Sequence, residues 1–137
     1  MLPIGTESSA ILSVGHAANA AFWFDNTTGT WRSSSYYIDA LPVWVNDFNA
    51  MKFSDTYLNS TWNLFRPAKD YVDCLPDSNS FEAGFNNINY FPYDLKKLRS
   101  KNDFNYKNDY SLLMETPFSN SLTTDFAIRL IENERLG

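Results

Sequence analysis

Aromatic rings run the length of this chain, even where no helical or strand period can be found. Each ring has a large apolar area to bury, so a segment rich in rings must pack against something. The stretch from about Arg66 to Tyr110 is the telling case. Pro67, Pro76 and Pro92, with the polar runs Asp77-Ser78-Asn79-Ser80 and Asn86-Asn87, mark it as irregular backbone. Yet Tyr71, Phe81, Phe85, Tyr90, Phe91, Tyr93, Phe104, Tyr106 and Tyr110 punctuate it. Free linkers lack such residues, so loops and short helices laid on a partner surface are predicted there. With 137 residues, 44% of them hydrophobic, the chain suits one domain with its own core.

The flanking parts are more regular. Ile4 to Val14 is strand-like at both ends. Ala20-Ala21-Phe22-Trp23-Phe24 is a compact apolar run, followed by the turn-forming Asp25-Asn26-Thr27-Thr28-Gly29 and a return strand Thr30-Trp31-Arg32-Ser33-Ser34. This predicts a β-hairpin. Asp39 as cap and Pro42 in the first turn then announce a helix. Leu41, Val45, Phe48 and Met51 or Lys52 follow at helical spacing, with Trp44 extending the stripe and Asn46, Asp47 and Asn49 facing away. A short helix over Asp55 to Leu58 is also predicted. Near the end, Asn120 or Ser121 caps a long helix. Leu122, Phe126 and Leu130 form its ridge, Ile128 and Ile131 lie beside it, Asp125 sits in its first turns, and Gly137 is its stop. The fold class is α+β, with an N-terminal strand and hairpin, a helix, an irregular cap-like insert and a C-terminal helix. The organisation is one domain or fragment over 1–137: strand, hairpin and helix over 1–65, the insert over 66–110, and a returning helix over 111–137.

The net charge of −5 disfavours nucleic acid, because phosphate backbones are held by clustered Lys and Arg. The one basic cluster, Lys96, Lys97, Arg99, Lys101 and nearby Lys107, is interleaved with Asp94, Asp103 and Asp109 and reads as a solvated face. No apolar run approaches the ~20 residues of a membrane helix, so no membrane partner is predicted. Met1 leads straight into Leu2-Pro3-Ile4-Gly5 with no basic region, so no signal peptide is read, and the strand-like start reads as a cut from a longer protein. Asn26-Thr27-Thr28 and Asn59-Ser60-Thr61 fit the glycosylation pattern.

Few residues can carry chemistry. His16 is the one histidine and Cys74 the one cysteine. A zinc hydrolase needs at least three ligands from His, Cys or carboxylate, which makes such a site improbable here. His16 reads as a strand-end residue bonded to backbone, or else as a group facing substrate. No G-x-S-x-G elbow is present, so a Ser–His–acid triad has no support. Asp70, Asp73 and Asp77 miss the EF-hand spacing and read as a solvated loop. Trp23, Trp31, Trp44 and Trp62 read as core residues; the alternative is a set of sugar-stacking platforms.

Gly15-His16-Ala17-Ala18-Asn19-Ala20-Ala21-Phe22-Trp23-Phe24-Asp25, with Thr28-Gly29 and Ser33-Ser34-Ser35-Tyr36-Tyr37, resembles a segment of the alkaline phosphatase superfamily, in its PafA-like and type I phosphodiesterase/nucleotide pyrophosphatase branch. Leu41-Pro42-x-Trp44-Val45-x-x-Phe48-Asn49 continues the likeness, and Tyr57-Leu58 and Thr61-Trp62 are consistent with it. Thr116-Pro117-Phe118-x-Asn120-x-Leu122, Asp125-Phe126-Ala127 and Glu134-x-Leu136-Gly137 resemble the helix before the family's next metal-binding strand. The likeness covers both ends and thins between about residues 66 and 110.

The resemblance implies a fragment of an α/β phosphate-ester hydrolase with two zinc ions and a Thr or Ser nucleophile. The nucleophile would lie upstream of this region and further Asp and His ligands downstream. No catalytic or metal-ligating residue is carried over onto this chain, which is predicted inactive alone, with no cofactor of its own. PafA-like enzymes have a Lys-x-Arg pair that holds the phosphate monoester dianion, and the corresponding positions here are Thr6 and Ser8, with Glu7 between them. Two hydroxyls stabilise a dianion far less than two cations. These two residues are the substrate-contact candidates, and a diester or other less charged phosphate ester is the expected substrate of the parent. The family also implies a periplasmic or extracellular location. The excised segment would expose apolar surface, so self-association is expected. The rival readings are a stand-alone glycan-binding module and a protein-interaction module.

Overall fold

The computed structural model describes residues 1–6, 8, 11, 16–85, 88–100 and 110–134. A small three-stranded sheet anchors it, formed by β1 (Ile4–Gly5), β2 (Phe22–Asp25) and β3 (Thr30–Arg32) in that order. β1 runs parallel to β2, and β2 pairs antiparallel with β3. The predicted hairpin is therefore present. Gly29 closes its loop at φ +72, and an added Cβ there would strike the Tyr110 ring. Of the predicted first strand, only Ile4–Gly5 pairs among the described residues, and the Val14 end lies outside them.

Alternation along the hairpin sorts its side chains. Phe22, Phe24 and Trp31 are buried on one face. Trp23, Asp25 and Arg32 are on the other, where Trp23 lies opposite Arg32. The buried face meets α1 (Val43–Ala50) and α5 (Phe118–Glu134). Phe126 is the centre of this layer. It stacks on Trp31 at 3.9 Å between ring centroids and also meets Phe22, Trp44 and Phe48. Leu58 of α2 (Phe53–Leu58), Leu95 and Leu98 of α3 (Leu95–Ser100), and Leu112 and Leu113 of α4 (Ser111–Met114) extend the same core.

Helix boundaries depart from the sequence reading. Pro42, not Asp39, is the residue before the first turn of α1, in extended backbone and without a side-chain cap. Its ring pre-sets the approach angle and leaves no N–H to satisfy. The predicted stripe ends at Phe48, because Met51 and Lys52 are exposed and Lys52 turns the chain into α2 at φ 52. Asn49 does not face away. Its amide accepts from the Trp31 N–H at 2.8 Å and donates to the Trp31 carbonyl at 2.9 Å. Helix α5 starts at Phe118, ahead of the expected caps Asn120 and Ser121, whose N–H groups both reach the Pro117 carbonyl. Leu122, Phe126 and Leu130 form the buried ridge as predicted, but Ile128 and Ile131 are about half exposed. Gly137 lies outside the described residues.

The middle of the chain has a 3-10 turn over Ala68–Tyr71 and a two-stranded sheet of β4 (Thr61–Trp62) and β5 (Tyr93–Asp94). Trp62, Phe85, Phe91 and Tyr93 pack edge-on and tilted around that sheet. Of the insert's rings, Phe85, Phe91 and Tyr93 find ring partners there, whereas Phe81 is almost fully exposed and Tyr90 about half exposed; Phe104 and Tyr106 lie outside the described residues. The basic cluster is not all solvated: Arg99 bonds Asp55 at 3.0 Å and lies 4.5 Å from the Tyr110 ring centroid. Lys101 and Lys107 lie outside the described residues.

Asp125 is not in the first turn of α5, which begins at Phe118 and holds no acid there; it joins helices instead, accepting the Tyr57 hydroxyl at 2.6 Å. Burial, with the hydrogen bond to this carboxylate and its charge added, pushes the Tyr57 phenol up to about 12 from an ordinary 10.0. A raised folded value means that the bond stabilises the fold fully below pH 10.0 and fades as pH rises toward about 12. Tyr57→Phe should therefore cost about 1–2 kcal/mol at neutral pH. That difference from wild type should shrink in alkaline urea titrations, and a gap independent of pH would refute the account.

Candidate functional site

Thr6 and Ser8 lie where the chain leaves β1. They line one polar cleft of about 250 Å³ with Trp23, Phe24, Asp25, Asn26 and Arg32. Thr6 is half-buried and Ser8 exposed; Glu7, between them, lies outside the described residues. The parallel pairing of β1 with β2 brings this exit beside the hairpin. The outer face of the hairpin then supplies Trp23, Asp25 and Arg32.

Asp25 and Arg32 form the charged part of the cleft, with an Arg32 nitrogen 2.9 Å from Asp25 Oδ2. The Asp25 side chain is only 13% exposed, whereas that of Arg32 is 55% exposed. The carboxylate also accepts the Thr27 N–H at 3.0 Å and the Thr28 hydroxyl at 2.8 Å, the pattern by which an Asp folds a turn around itself. Partial burial pushes the Asp25 carboxyl upward. The bonds from Thr28 and Thr27 and the charge of Arg32 outweigh that push and hold it below its ordinary value. The carboxylate therefore stays ionised at neutral pH. Sequence reasoning used these two residues only as hairpin parts. Alternation across the predicted hairpin would have placed them on one face.

The other sequence candidates lie elsewhere. His16 is exposed in a turn, and its Nδ1 is 3.4 Å from the Tyr36 hydroxyl, a side-chain partner; no backbone partner is seen among the described residues. With Ser34, Tyr36 and Tyr37 it lines a shallow space of about 410 Å³. Asp77 accepts the Phe91 N–H at 2.9 Å, while Asp70 and Asp73 are exposed. Cys74 is exposed and free. Trp31 is buried; Trp23, Trp44 and Trp62 are half-buried, so none stands out as an open stacking platform. Among the described residues, no three His, Cys, Asp or Glu side chains gather as a group that could hold a metal. The described residues do not fit a zinc centre. No described helix is long and apolar enough to cross a membrane.

No family model matches the chain. Curated relatives do. The chain is 43% identical over 133 residues to a calcium-transporting ATPase of Myroides odoratus and 37% identical to alkaline phosphatase PhoV of Synechococcus elongatus. It is 35% identical over 134 residues to alkaline phosphatase PafA of Elizabethkingia meningoseptica. Each of these alignments covers 96% of this chain and 23% of the relative. The crystal structure of wild-type PafA superposes with a TM-score of 0.84 at 33% identity, over 99% of this chain and 26% of that one. The chain thus spans about a quarter of the length of the proteins it matches.

Proposed function

From the premise that this chain is a PafA-like fragment of the alkaline phosphatase superfamily, we propose that it is the substrate-shaping part of a longer, metal-dependent phosphate-ester hydrolase. Residues 66–110 serve as the cap-like insert. The catalytic nucleophile and the two zinc ions belong to the rest of that protein, and their chemistry (activation of the attacking group and neutralisation of the phosphoryl oxygens) is supplied there. What this chain contributes is a wall with hydrogen-bond donors. The location is periplasmic or extracellular, as the family resemblance implies.

One observation carries the substrate reading. Thr6 and Ser8, which the family resemblance sets at the positions of the Lys-x-Arg pair in PafA-like phosphatases, line a polar cleft with no lysine among its described lining residues. Hydroxyls bond a phosphoryl oxygen without neutralising its charge, so a phosphodiester monoanion is favoured over a monoester dianion. The insert also has surface to share. Phe81 is more than nine-tenths exposed, Val72 and Leu75 are largely exposed, and Phe65, just ahead of the insert, is more than nine-tenths exposed. Apolar groups in that state favour docking against the rest of the parent and, in the excised chain, self-association.

The test is to place cations where the hydroxyls are. In the full-length protein, Thr6→Lys with Ser8→Arg should raise the ratio of monoesterase to diesterase kcat/KM by about tenfold or more, one good charge-assisted contact being worth that much. An unchanged ratio would overturn the reading.

A further inference from the structure

Among the described residues that line the cleft beside β1, Arg32 is the one cation. We propose that Arg32 is the group that grips the ligand's anionic oxygens, with Thr6 and Ser8 completing the donor set, and that the ligand presents a single negative charge. The phosphate-ester reading enters this proposal only in naming the anion.

Geometry supports the role of Arg32. A guanidinium has five N–H donors in a planar fork and can hold two oxygens of a phosphate at once. Asp25 takes one nitrogen at 2.9 Å, and Arg32, one of the cleft's lining residues, keeps more than half of its side chain exposed. Asp25 is itself fixed by Thr27 and Thr28, so it positions the arginine. Such fixing spares rotamer entropy when a ligand arrives. Directly across the strand pair, Trp23 supplies a half-buried ring as a wall.

Charge then selects the ligand. Among the described lining residues Arg32 and Asp25 are the charged pair and sum to zero, so a ligand's one negative charge can bond the open guanidinium edge, whereas a second would meet the Asp25 carboxylate. A dialkyl phosphate satisfies this arrangement and a phosphate dianion does not. The hydroxyls of Thr6 and Ser8 add bonds to the same oxygens without changing that sum.

The experiment is a titration of the 137-residue chain, followed by the indole N–H signal of Trp23 and the guanidinium N–H signal of Arg32 in nuclear magnetic resonance spectra. The probes are dimethyl phosphate and, well above its second ionisation, inorganic phosphate. Dimethyl phosphate should shift both signals saturably and bind more tightly than inorganic phosphate. Arg32→Gln should weaken it by about tenfold or more, and Arg32→Lys, which keeps the charge but not the fork, by less. Thermal unfolding of the variants separates lost binding from lost fold. Saturation equal in wild type and Arg32→Gln, or no saturation in folded wild type, overturns the proposal. The hydrolase reading fails separately. Ester turnover by the full-length protein, with binding to this chain indifferent to Arg32, sinks the arginine's role and spares the hydrolase. Arg32-dependent binding without any ester turnover supports the anion site and removes the hydrolase.

Discussion

Phe126→Ala is expected to remove about 3–5 kcal/mol of folding stability, because a fully buried ring would leave a cavity that its neighbours cannot fill. The ring is 0% exposed. It lies flat on Trp31, with an interplanar angle of 10°, and edge-on to Phe22 and Phe48. Those neighbours come from the sheet and from α1, so the one side chain of α5 holds three elements in register. A domain of this size has about 5–15 kcal/mol in hand, so the variant should sit near its unfolding midpoint under mild conditions. Urea unfolding read by Trp fluorescence measures the effect. A loss below about 1 kcal/mol would show that the packing around Phe126 is not as described.

The second large effect belongs to a polar residue. Asn49→Ala should cost about 2–4 kcal/mol, since it strands two buried backbone groups at once. Among the described residues β3 is an edge strand of its sheet. An edge strand leaves N–H and C=O groups unpaired, and burial makes that costly. At Trp31, itself 2% exposed, the carboxamide of Asn49 stands in for a missing neighbouring strand by accepting from the N–H and donating to the carbonyl. Asn49→Asp can accept but not donate, so it should rescue little. Amide hydrogen exchange at Trp31 gives a local readout: protection should fall in both variants, and protection unchanged in Asn49→Ala would refute the account.

These two residues show what could be read from the chain alone. Phe126 stood out because a ridge at i, i+4, i+8 has one physical meaning, a helix face against a core. The hairpin was legible for a similar reason, since Asp25 to Gly29 carries turn chemistry between two aromatic strands. Asn49 was misjudged because a polar residue on a helix ordinarily faces water. Its inward role depends on an edge strand 18 positions away in sequence, which no local pattern announces. Arg99 was misjudged likewise, since its partner Asp55 comes from another helix. Ile128 and Ile131 erred in the opposite sense: α5 packs on one narrow stripe, and apolar residues off that stripe stay wet. For the candidate site, Thr6 and Ser8 came from family resemblance, whereas Asp25 and Arg32 follow from strand alternation once the hairpin is accepted.

The core is stitched from distant parts of the sequence. Tyr110 donates its N–H to Asn26 across the hairpin loop, and the Trp44 indole reaches Glu134 over a separation of 90 residues. During synthesis, then, the hairpin leaves the ribosome well before the helix that must cover Trp31 exists. Its aromatic face has to wait, uncovered or shielded by a chaperone, until Phe126 emerges.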